Sequence, residues 1–235
     1  METLGIIGGM GPMATAYLLE LVIQMTNAKT DQEHLRTIVF DNPQVPDRTA
    51  YILDREKPSP LPVLEDMAQT LERIGCGVLC APCVTSHYFY PELSSSVSVP
   101  FLHMVEETAR ELQEAGRKKA GILATTGTVS TGLFQRALEK FGIEWAAPSQ
   151  LGQGLVMSLI YDDVKSGRDG DPQKFAAIHR DLEEQGCDCG VLACTELSVF
   201  SSQHHLPPFY LDAMAVLAER SIQACHGRLQ HIFTK

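Results

Sequence analysis

A strand-and-turn pattern occurs twice in this chain of 235 residues, and it constrains the fold more than any other feature. In the first half, the apolar residues 77–79 (Gly-Val-Leu) are followed closely by Cys83 and by hydroxyl side chains. In the second half, residues 190–192 repeat Gly-Val-Leu, and Cys194 and a hydroxyl follow. Short apolar runs that end at a turn are typical of buried strands. The matching positions of the two cysteines suggest that they share one site.

Two further landmarks repeat in the same order. Residues 4–12, which read as a strand and a Gly-rich turn, are echoed by residues 120–128. Residues 100–102, which are predicted to form a short strand, are echoed by residues 208–211. The three landmarks recur at offsets of 116, 111 and 108 residues. This pattern predicts an internal duplication.

Helical patterns separate the short strands, as in residues 14–27 and 213–224. Helices that alternate with apolar strands indicate parallel sheets. The predicted fold class is therefore α/β, with two pseudo-symmetric parallel-sheet domains: residues 1–98 plus 209–235, and residues 99–208. Because open α/β sheets bind ligands beyond the carboxyl ends of their strands, we expect the active site in the cleft between these domains.

Three local predictions concern the connections. Residues 42–56 contain two prolines and few apolar anchors, which predicts a loop. The next helix is predicted to have Ser59 as its N-cap and Pro60 in its first turn. A helical stretch is predicted around residues 155–164.

Composition excludes several classes of function. The net charge of −10, without a basic cluster, argues against nucleic acid and anionic membranes as partners. No apolar run approaches the roughly 20 residues that span a bilayer, and we expect no signal peptide because the first residues lack a basic segment. Seven cysteines, an odd number, favour free thiols and a cytoplasmic location over a disulfide framework.

Two opposed thiols suit one kind of chemistry. The pKa of a cysteine, about 8.5 in a free peptide, is tuned by helix N-termini and nearby donors. One thiolate can remove a proton from a carbon acid while the other thiol gives a proton to the opposite face, which inverts a stereocentre. This chemistry needs neither a metal nor a cofactor, and we expect none.

Five motifs together resemble the aspartate/glutamate racemase family, in particular its aspartate racemase branch. The similarity extends from residue 5 to about residue 219. The motifs are residues 5–12 (GIIGGMGP), 46–49 (PDRT), 82–85 (PCVT), 124–128 (ATTGT) and 194–197 (CTEL).

The resemblance implies cofactor-independent racemisation of a small dicarboxylic amino acid, aspartate or glutamate, in a homodimer. Cys83 and Cys194 match the two catalytic bases; in the family the second cysteine works on the L face and the first on the D face. Arg48 matches an arginine that holds a substrate carboxylate, for which its planar fork is suited. Lys165 matches a lysine that assists with the side-chain carboxylate. The remaining substrate-binding positions implied are Met10, Thr85, Thr125, Thr128, Thr195 and Glu196.

One residue departs from the family pattern. The family usually has asparagine after its first cysteine, whereas this chain has Val84. Valine can neither donate to a carboxylate nor accept from an ammonium group. The departure keeps two other functions open: an isomerase acting on another dicarboxylate such as maleate, with Cys83 as nucleophile, and a non-catalytic binder of amino acids or dicarboxylates.

Other interpretations of the same residues are less favoured. Cys80 and Cys83 could form a redox pair, and Cys187 and Cys189 could bind a metal, but no histidine lies at zinc spacing. Residues 9–14 resemble a dinucleotide fingerprint, but their echo in the second half is rich in hydroxyls instead. His87 either supports Cys83 or is a structural polar group, and the sequence leaves this question open.

Overall fold

The computed structural model describes residues 1–230; residues 231–235, which the sequence assigns to the first domain, lie outside the described residues. The chain divides into two compact units. The first unit contains residues 1–104 and the described residues from 214 onward, and the second contains residues 105–213. Each unit has one parallel sheet with helices, so the predicted α/β class is confirmed. Within residues 1–230, every helix is too short or too polar to cross a membrane.

The strands of both units are short and parallel. The first unit has the sheet order β2-β1-β3, and the second has the order β5-β4-β6-β7. In both, the first strand of the unit pairs with the second and the third, as a duplication predicts. The strands are β1 (Leu4–Gly8), β2 (Thr37–Asp41), β3 (Val78–Cys80), β4 (Lys119–Leu123), β5 (Glu144–Ala146), β6 (Cys189–Leu192) and β7 (Tyr210–Asp212).

Helices connect the strands. In chain order they are α1 (Pro12–Met25), α2 (Arg48–Leu53), α3 (Leu61–Arg73), α4 (Tyr90–Ser95), α5 (Met104–Glu114), α6 (Thr126–Thr131), α7 (Leu133–Lys140), α8 (Gln150–Ser158), α9 (Pro172–Glu184), α10 (Thr195–Gln203) and α11 (Ala213–Ala224). In the first unit, an apolar face of α3 packs on β1, where all five residues are buried. Strands buried on both faces are expected when helices cover a parallel sheet.

Three predictions for the first unit need correction. The predicted loop at residues 42–56 contains α2, because the side chain of Asp47 accepts a hydrogen bond from the backbone N of Ala50 at 2.7 Å and caps a short helix. The helix predicted to start at Pro60 begins at Leu61, with Pro60 itself at the N-cap position. The predicted strand at residues 100–102 is reduced to a single parallel bridge between Leu79 and Phe101.

The helical stretch predicted around residues 155–164 is also more complex than expected. After α8, the chain continues as a π-helical turn (Leu159–Asp163) and then a 3₁₀ turn (Val164–Ser166). Asp163 is buried, and its carboxylate lies 2.7 Å from Nζ of Lys174 on α9. A buried carboxylate needs such a partner, and this ion pair attaches the irregular turn to the unit.

The turn after β1 depends on glycine. Gly9 has φ of +92°, and a Cβ atom there would lie 2.2 Å from the carbonyl carbon of Asn42. The backbone N of Gly9 donates to Oγ1 of Thr15 on α1 at 2.9 Å. Only glycine combines this backbone conformation with so close an approach of another backbone segment. The turn therefore fixes the position of Met10, which is buried directly after it.

We predict that Gly9→Ala destabilises the protein much more than Gly75→Ala. Gly75 has almost the same φ, +95°, but nothing lies within 4 Å of a Cβ atom there. Gly75→Ala should therefore cost about 1–2 kcal/mol from backbone strain alone. Gly9→Ala adds a clash with backbone and should cost at least about 3 kcal/mol in total. Urea unfolding of both variants tests this, and equal losses of stability would contradict it.

Candidate active site

Cys83 and Cys194 occupy corresponding places in the two units. Cys83 comes three residues after β3 and is the N-cap of a 3₁₀ turn (Val84–Phe89). Cys194 comes two residues after β6 and is the N-cap of α10. Both cysteines have extended backbone and are largely buried, with 6% and 8% of their surface exposed. Both predicted catalytic thiols thus follow the carboxyl end of a parallel strand, where α/β folds place ligands.

The main chain at Cys83 is held by two buried side chains. Ser86 donates from Oγ to the carbonyl oxygen of Cys83 at 2.6 Å. His87 lies with Nδ1 3.0 Å from the same oxygen, while its Nε2 accepts a hydrogen bond from the backbone N of Met104 at 3.2 Å. Because a backbone N–H can only donate, Nε2 carries no proton and Nδ1 is the donor to Cys83. His87 therefore supports Cys83 through its carbonyl group.

His87 is neutral at neutral pH. Burial, and then the nearby ring of His103, lower the pKa of His87 to about 4. Only 2% of the residue is exposed. Protonation would place a charge where it loses its hydration. It would also occupy Nε2, which could then no longer accept from the backbone N of Met104.

Two predicted binding residues of the first unit, Met10 and Arg48, connect to the apolar cluster that contains Cys83. Met10 and Cys83 belong to one buried apolar cluster, which also includes Val45. Arg48, the first residue of α2, donates from Nη1 to the carbonyl oxygens of Val45 at 3.2 Å and Pro46 at 3.1 Å. Its Nε is buried and, among the described residues, has no hydrogen-bond partner. The guanidinium thus retains an unused donor.

Thr85 and Val84 follow Cys83 directly in the 3₁₀ turn. Both are buried, with 9% and 3% of their surface exposed. The side chain of Val84 is apolar, so the turn offers no side-chain hydrogen bond at the position after the cysteine.

The thiol of Cys194 contacts a carboxylate. Its Sγ donates to Oε2 of Glu196, which lies 2.9 Å away, and the hydroxyl of Thr195 donates to the same oxygen at 3.1 Å. Thr195 and Glu196 are both buried in the first turn of α10. The carboxylate is therefore directed back at the thiol by the start of the helix.

These surroundings keep Cys194 protonated. Burial, and then the charge and the hydrogen-bond acceptor of Glu196, raise the pKa of the Cys194 thiol well above its usual range. The backbone N–H of Glu196 and the charge of Lys165 act in the opposite direction but are weaker. The resting state of Cys194 is thus the protonated thiol.

Lys165 completes this group. Its Nζ lies 3.6 Å from Oε1 of Glu196 and 4.7 Å from the centre of the Tyr161 ring. The side chain remains about one-third exposed, so solvent also reaches the ammonium group. The π-helical and 3₁₀ turns at residues 159–166 bring it there, and π-helical turns are frequent at functional sites.

Thr125 and Thr128 lie at the end of the neighbouring strand. Leu123 of β4 pairs with Leu192 of β6, and Thr125 and Cys194 each follow this pair by two residues. Thr125 caps α6: its Oγ1 accepts from the backbone N of Thr128 at 3.2 Å and donates to the Thr128 hydroxyl. The predicted binding threonines of the second unit are therefore brought to the same edge of the sheet as Cys194.

Sequence reasoning missed several residues of this site. Ser86 and Tyr161 were not singled out, nor was Ser198, which donates to Asp212 at 2.6 Å. A hydroxyl three residues after an N-cap is a usable signal for Ser86, because such side chains bond nearby backbone, whereas the partner of Ser198 is 14 residues away. The position of Tyr161 depends on the π-helical turn, which the sequence pattern does not reveal.

The other cysteines have inert surroundings. All seven thiols are free and buried. Burial raises the pKa of Cys80, inside β3, and of Cys189, inside β6, to about 12. A thiol that does not ionise near neutral pH is a poor nucleophile. Neither the alternative redox pair with Cys83 nor the alternative metal site with Cys187 gains support from these positions.

Known proteins of similar sequence and structure are racemases. The sequence profile described as Asp/Glu/hydantoin racemase matches residues 7–220. The broad specificity amino-acid racemase RacX of Bacillus subtilis is 26% identical over 227 residues, which cover 93% of this chain and 96% of that protein. The aspartate racemase of Picrophilus torridus matches with a TM-score of 0.83 and 31% identity over 98% of this chain and 96% of that one. The glutamate racemase of Thermus thermophilus has the same fold, with a TM-score of 0.65 and 21% identity over 96% of this chain and 80% of that one.

We predict that Glu196→Gln makes Cys194 more reactive. The substitution removes the charge that raises the thiol pKa and leaves burial unchanged. Each unit by which the pKa falls increases the thiolate fraction about tenfold, so alkylation by iodoacetamide at pH 8 should accelerate about three- to tenfold. Peptide mass spectrometry measures Cys194 and Cys83 in the same sample, and Cys83 serves as the internal control. An unchanged or slower rate at Cys194 would contradict this assignment.

We predict a second pH effect, which depends on His87. Since its pKa is about 4 in the folded protein and about 6.5 when unfolded, only the unfolded chain binds the proton between these values. The contribution of neutral His87 to the free energy of unfolding is fully present above pH 6.5. It falls by about 3 kcal/mol as the pH drops from 6.5 to 4. Urea unfolding at several pH values should show this loss in the parent protein. His87→Asn should lack this part of the slope, whereas His205→Asn, at an exposed histidine, should retain it.

Proposed function

Because the chain belongs to the Asp/Glu/hydantoin racemase family, we propose that it racemises a dicarboxylic amino acid without a cofactor, with Cys83 and Cys194 as its two acid–base groups. The proposed reaction requires the two thiols to act on opposite faces of one substrate. The preferred substrate is aspartate, and glutamate is the next candidate.

The observation that carries the proposal is the equivalent placement of the two thiols. Each cysteine is a buried N-cap just beyond the third strand of its unit, in sheets whose first three strands have the same order. Racemisation needs two groups that exchange one proton each with the α-carbon. A duplicated fold with a thiol at each matching position supplies two such groups.

The proposed proton transfers follow from the surroundings of the thiols. When the Cys83 thiolate removes the α-proton, the Cys194 thiol gives its own proton to the opposite face, and the configuration is inverted. In the reverse direction, Cys194 must first lose its proton. Glu196 is the adjacent acceptor, with Oε2 2.9 Å from Sγ. Proton donors and acceptors held in hydrogen-bond contact contribute about 10²–10⁴-fold to such steps.

Two cations are available for the carboxylates of the substrate. The unused Nε donor of Arg48 and the partly exposed Nζ of Lys165 suit the α- and side-chain carboxylates. Met10, Thr85, Thr125, Thr128 and Thr195 are proposed to line the site, as the family resemblance implies. Without such groups, the net charge of −10 opposes an anionic ligand.

The relatives differ in the breadth of substrate that their names state. One is named a broad specificity amino-acid racemase and another an aspartate racemase. Val84, apolar and buried, removes one polar contact near the first thiol. We therefore propose aspartate as the first substrate to test and a panel of other amino acids after it. The homodimer stays a prediction.

The deciding experiment is proton NMR of the protein with L-aspartate in D₂O, without pyridoxal phosphate. We expect the Hα signal to disappear while optical rotation decays. Cys83→Ser and Cys194→Ser should each slow racemisation at least about 100-fold, because a serine hydroxyl does not replace a thiol as a base. Cys76→Ser and Cys187→Ser, which make the same change at buried thiols outside the proposed pair, should stay near the parent rate.

Other outcomes separate the alternatives. Parent rates in both single variants would contradict the two-thiol mechanism. A covalent adduct at Cys83 alone, with conversion of maleate, would instead support the dicarboxylate isomerase. Thermal stabilisation by amino acids without loss of Hα from any of them, L- and D-glutamate included, would support a non-catalytic binder.

A further inference from the structure

One side chain links the Cys83 turn to the place where the chain leaves the first unit. His87, four residues after Cys83, contacts the Cys83 carbonyl oxygen with Nδ1 at 3.0 Å. Its Nε2 accepts from the backbone N of Met104 at 3.2 Å. Met104 is the last residue of the first unit before the chain passes into the second. Just before it, the chain is hydrogen bonded to Leu79 of β3, the strand that leads to Cys83.

The second unit contains an equivalent link. Ser198, four residues after Cys194, donates from its backbone N to the Cys194 carbonyl oxygen at 3.3 Å. Its Oγ donates to Oδ1 of Asp212 at 2.6 Å. Asp212 is the last residue of β7 and lies one residue before the end of this unit. It also pairs in the sheet with Leu192, the last residue of the strand that leads to Cys194.

The two links correspond in sequence, although His87 contacts its cysteine with the side chain and Ser198 with the backbone N. Met104 and Asp212 are 108 residues apart, the same offset as that between residues 100 and 208 of the duplicated segments. The linking side chains differ, an imidazole in one unit and a hydroxyl in the other. Both are buried, with 2% of His87 and 1% of Ser198 exposed, so water does not compete for their hydrogen bonds.

We propose that His87 and Ser198 are a matched pair of positioning residues. Each one fixes the main chain of one cysteine to the segment through which the chain crosses to the other unit. The position of each thiol therefore depends on a crossover segment as well as on its own sheet. This inference rests on the proposed function for its catalytic consequence, but the links themselves can be tested on the two thiols directly.

The test compares substitutions that remove one link with substitutions that leave it in place. Ser198→Ala removes the bond to Asp212, and Ser202→Ala changes an exposed serine one turn further along α10. His87→Asn retains a donor near the Cys83 carbonyl but cannot reach Met104. Ser95→Ala changes an exposed serine of α4 and leaves the His87 link intact.

The first readout is the alkylation rate of each cysteine by iodoacetamide, measured by peptide mass spectrometry. We expect Ser198→Ala to change the alkylation rate at Cys194 at least about threefold. The alkylation rate at Cys83 should stay within about 1.5-fold of the parent. His87→Asn should do the reverse. Ser95→Ala and Ser202→Ala should change neither rate more than about twofold.

The second readout is catalysis. Ser198→Ala and His87→Asn should each lower kcat about tenfold or more with KM within about threefold, because a misplaced thiol slows proton transfer while the substrate contacts remain. Asp212→Asn keeps the Oδ1 acceptor for Ser198 and should resemble the parent, whereas Asp212→Ala should resemble Ser198→Ala.

Equal changes at both cysteines in each link variant, or changes at neither, would overturn the proposal. If His87→Asn fails to fold, the Ser198 and Asp212 variants decide the question alone. If the parent exchanges no Hα, the proposed function fails, and the alkylation rates still test the two links.

Discussion

Parallel pairing of β1 with β3 and of β4 with β6 is the constraint on which the rest of the structure depends. Parallel strands all end at one edge of their sheet, so the turns after them are neighbours in space. In the second unit, this brings Thr125 and Cys194 beyond the aligned residues Leu123 and Leu192. A shift of register by one residue would turn each of these side chains to the other face of the sheet.

The two cysteines share a position but differ in their electrostatic surroundings. The Cys83 turn is held by neutral groups, the Ser86 hydroxyl and the neutral imidazole of His87, which both act on its carbonyl. Cys194 instead faces the carboxylate of Glu196 directly. The two units thus offer similar strand-and-turn scaffolds, and the residues just after each cysteine distinguish the two thiols.

The sequence predicted what depends on local pattern and failed where distant contacts decide. Helix α11 has the predicted bounds because apolar spacing and a short preceding strand both mark it. Helix α2 was missed because the prolines before it favour a loop, whereas the cap from Asp47 is worth only about 1 kcal/mol and leaves a weak signal. The role of His87 could not be predicted, since its partner Met104 is 17 residues away. The five motifs identify the turns at which the candidate site is proposed, and the roles of their residues stay predictions.

The contact between Cys194 and Glu196 has a consequence for steady-state behaviour. Enantiomers have equal free energies, so the Haldane relation requires a racemase to have the same kcat/KM in both directions. In the proposed mechanism the two thiols have unequal surroundings, because the carboxylate of Glu196 contacts Cys194. Because kcat/KM is equal in both directions, these unequal surroundings would change kcat and KM by the same factor. The two enantiomers would then saturate the enzyme at different concentrations. An asymmetric pair of thiols can in this way favour one enantiomer as the resident ligand while leaving the final mixture racemic.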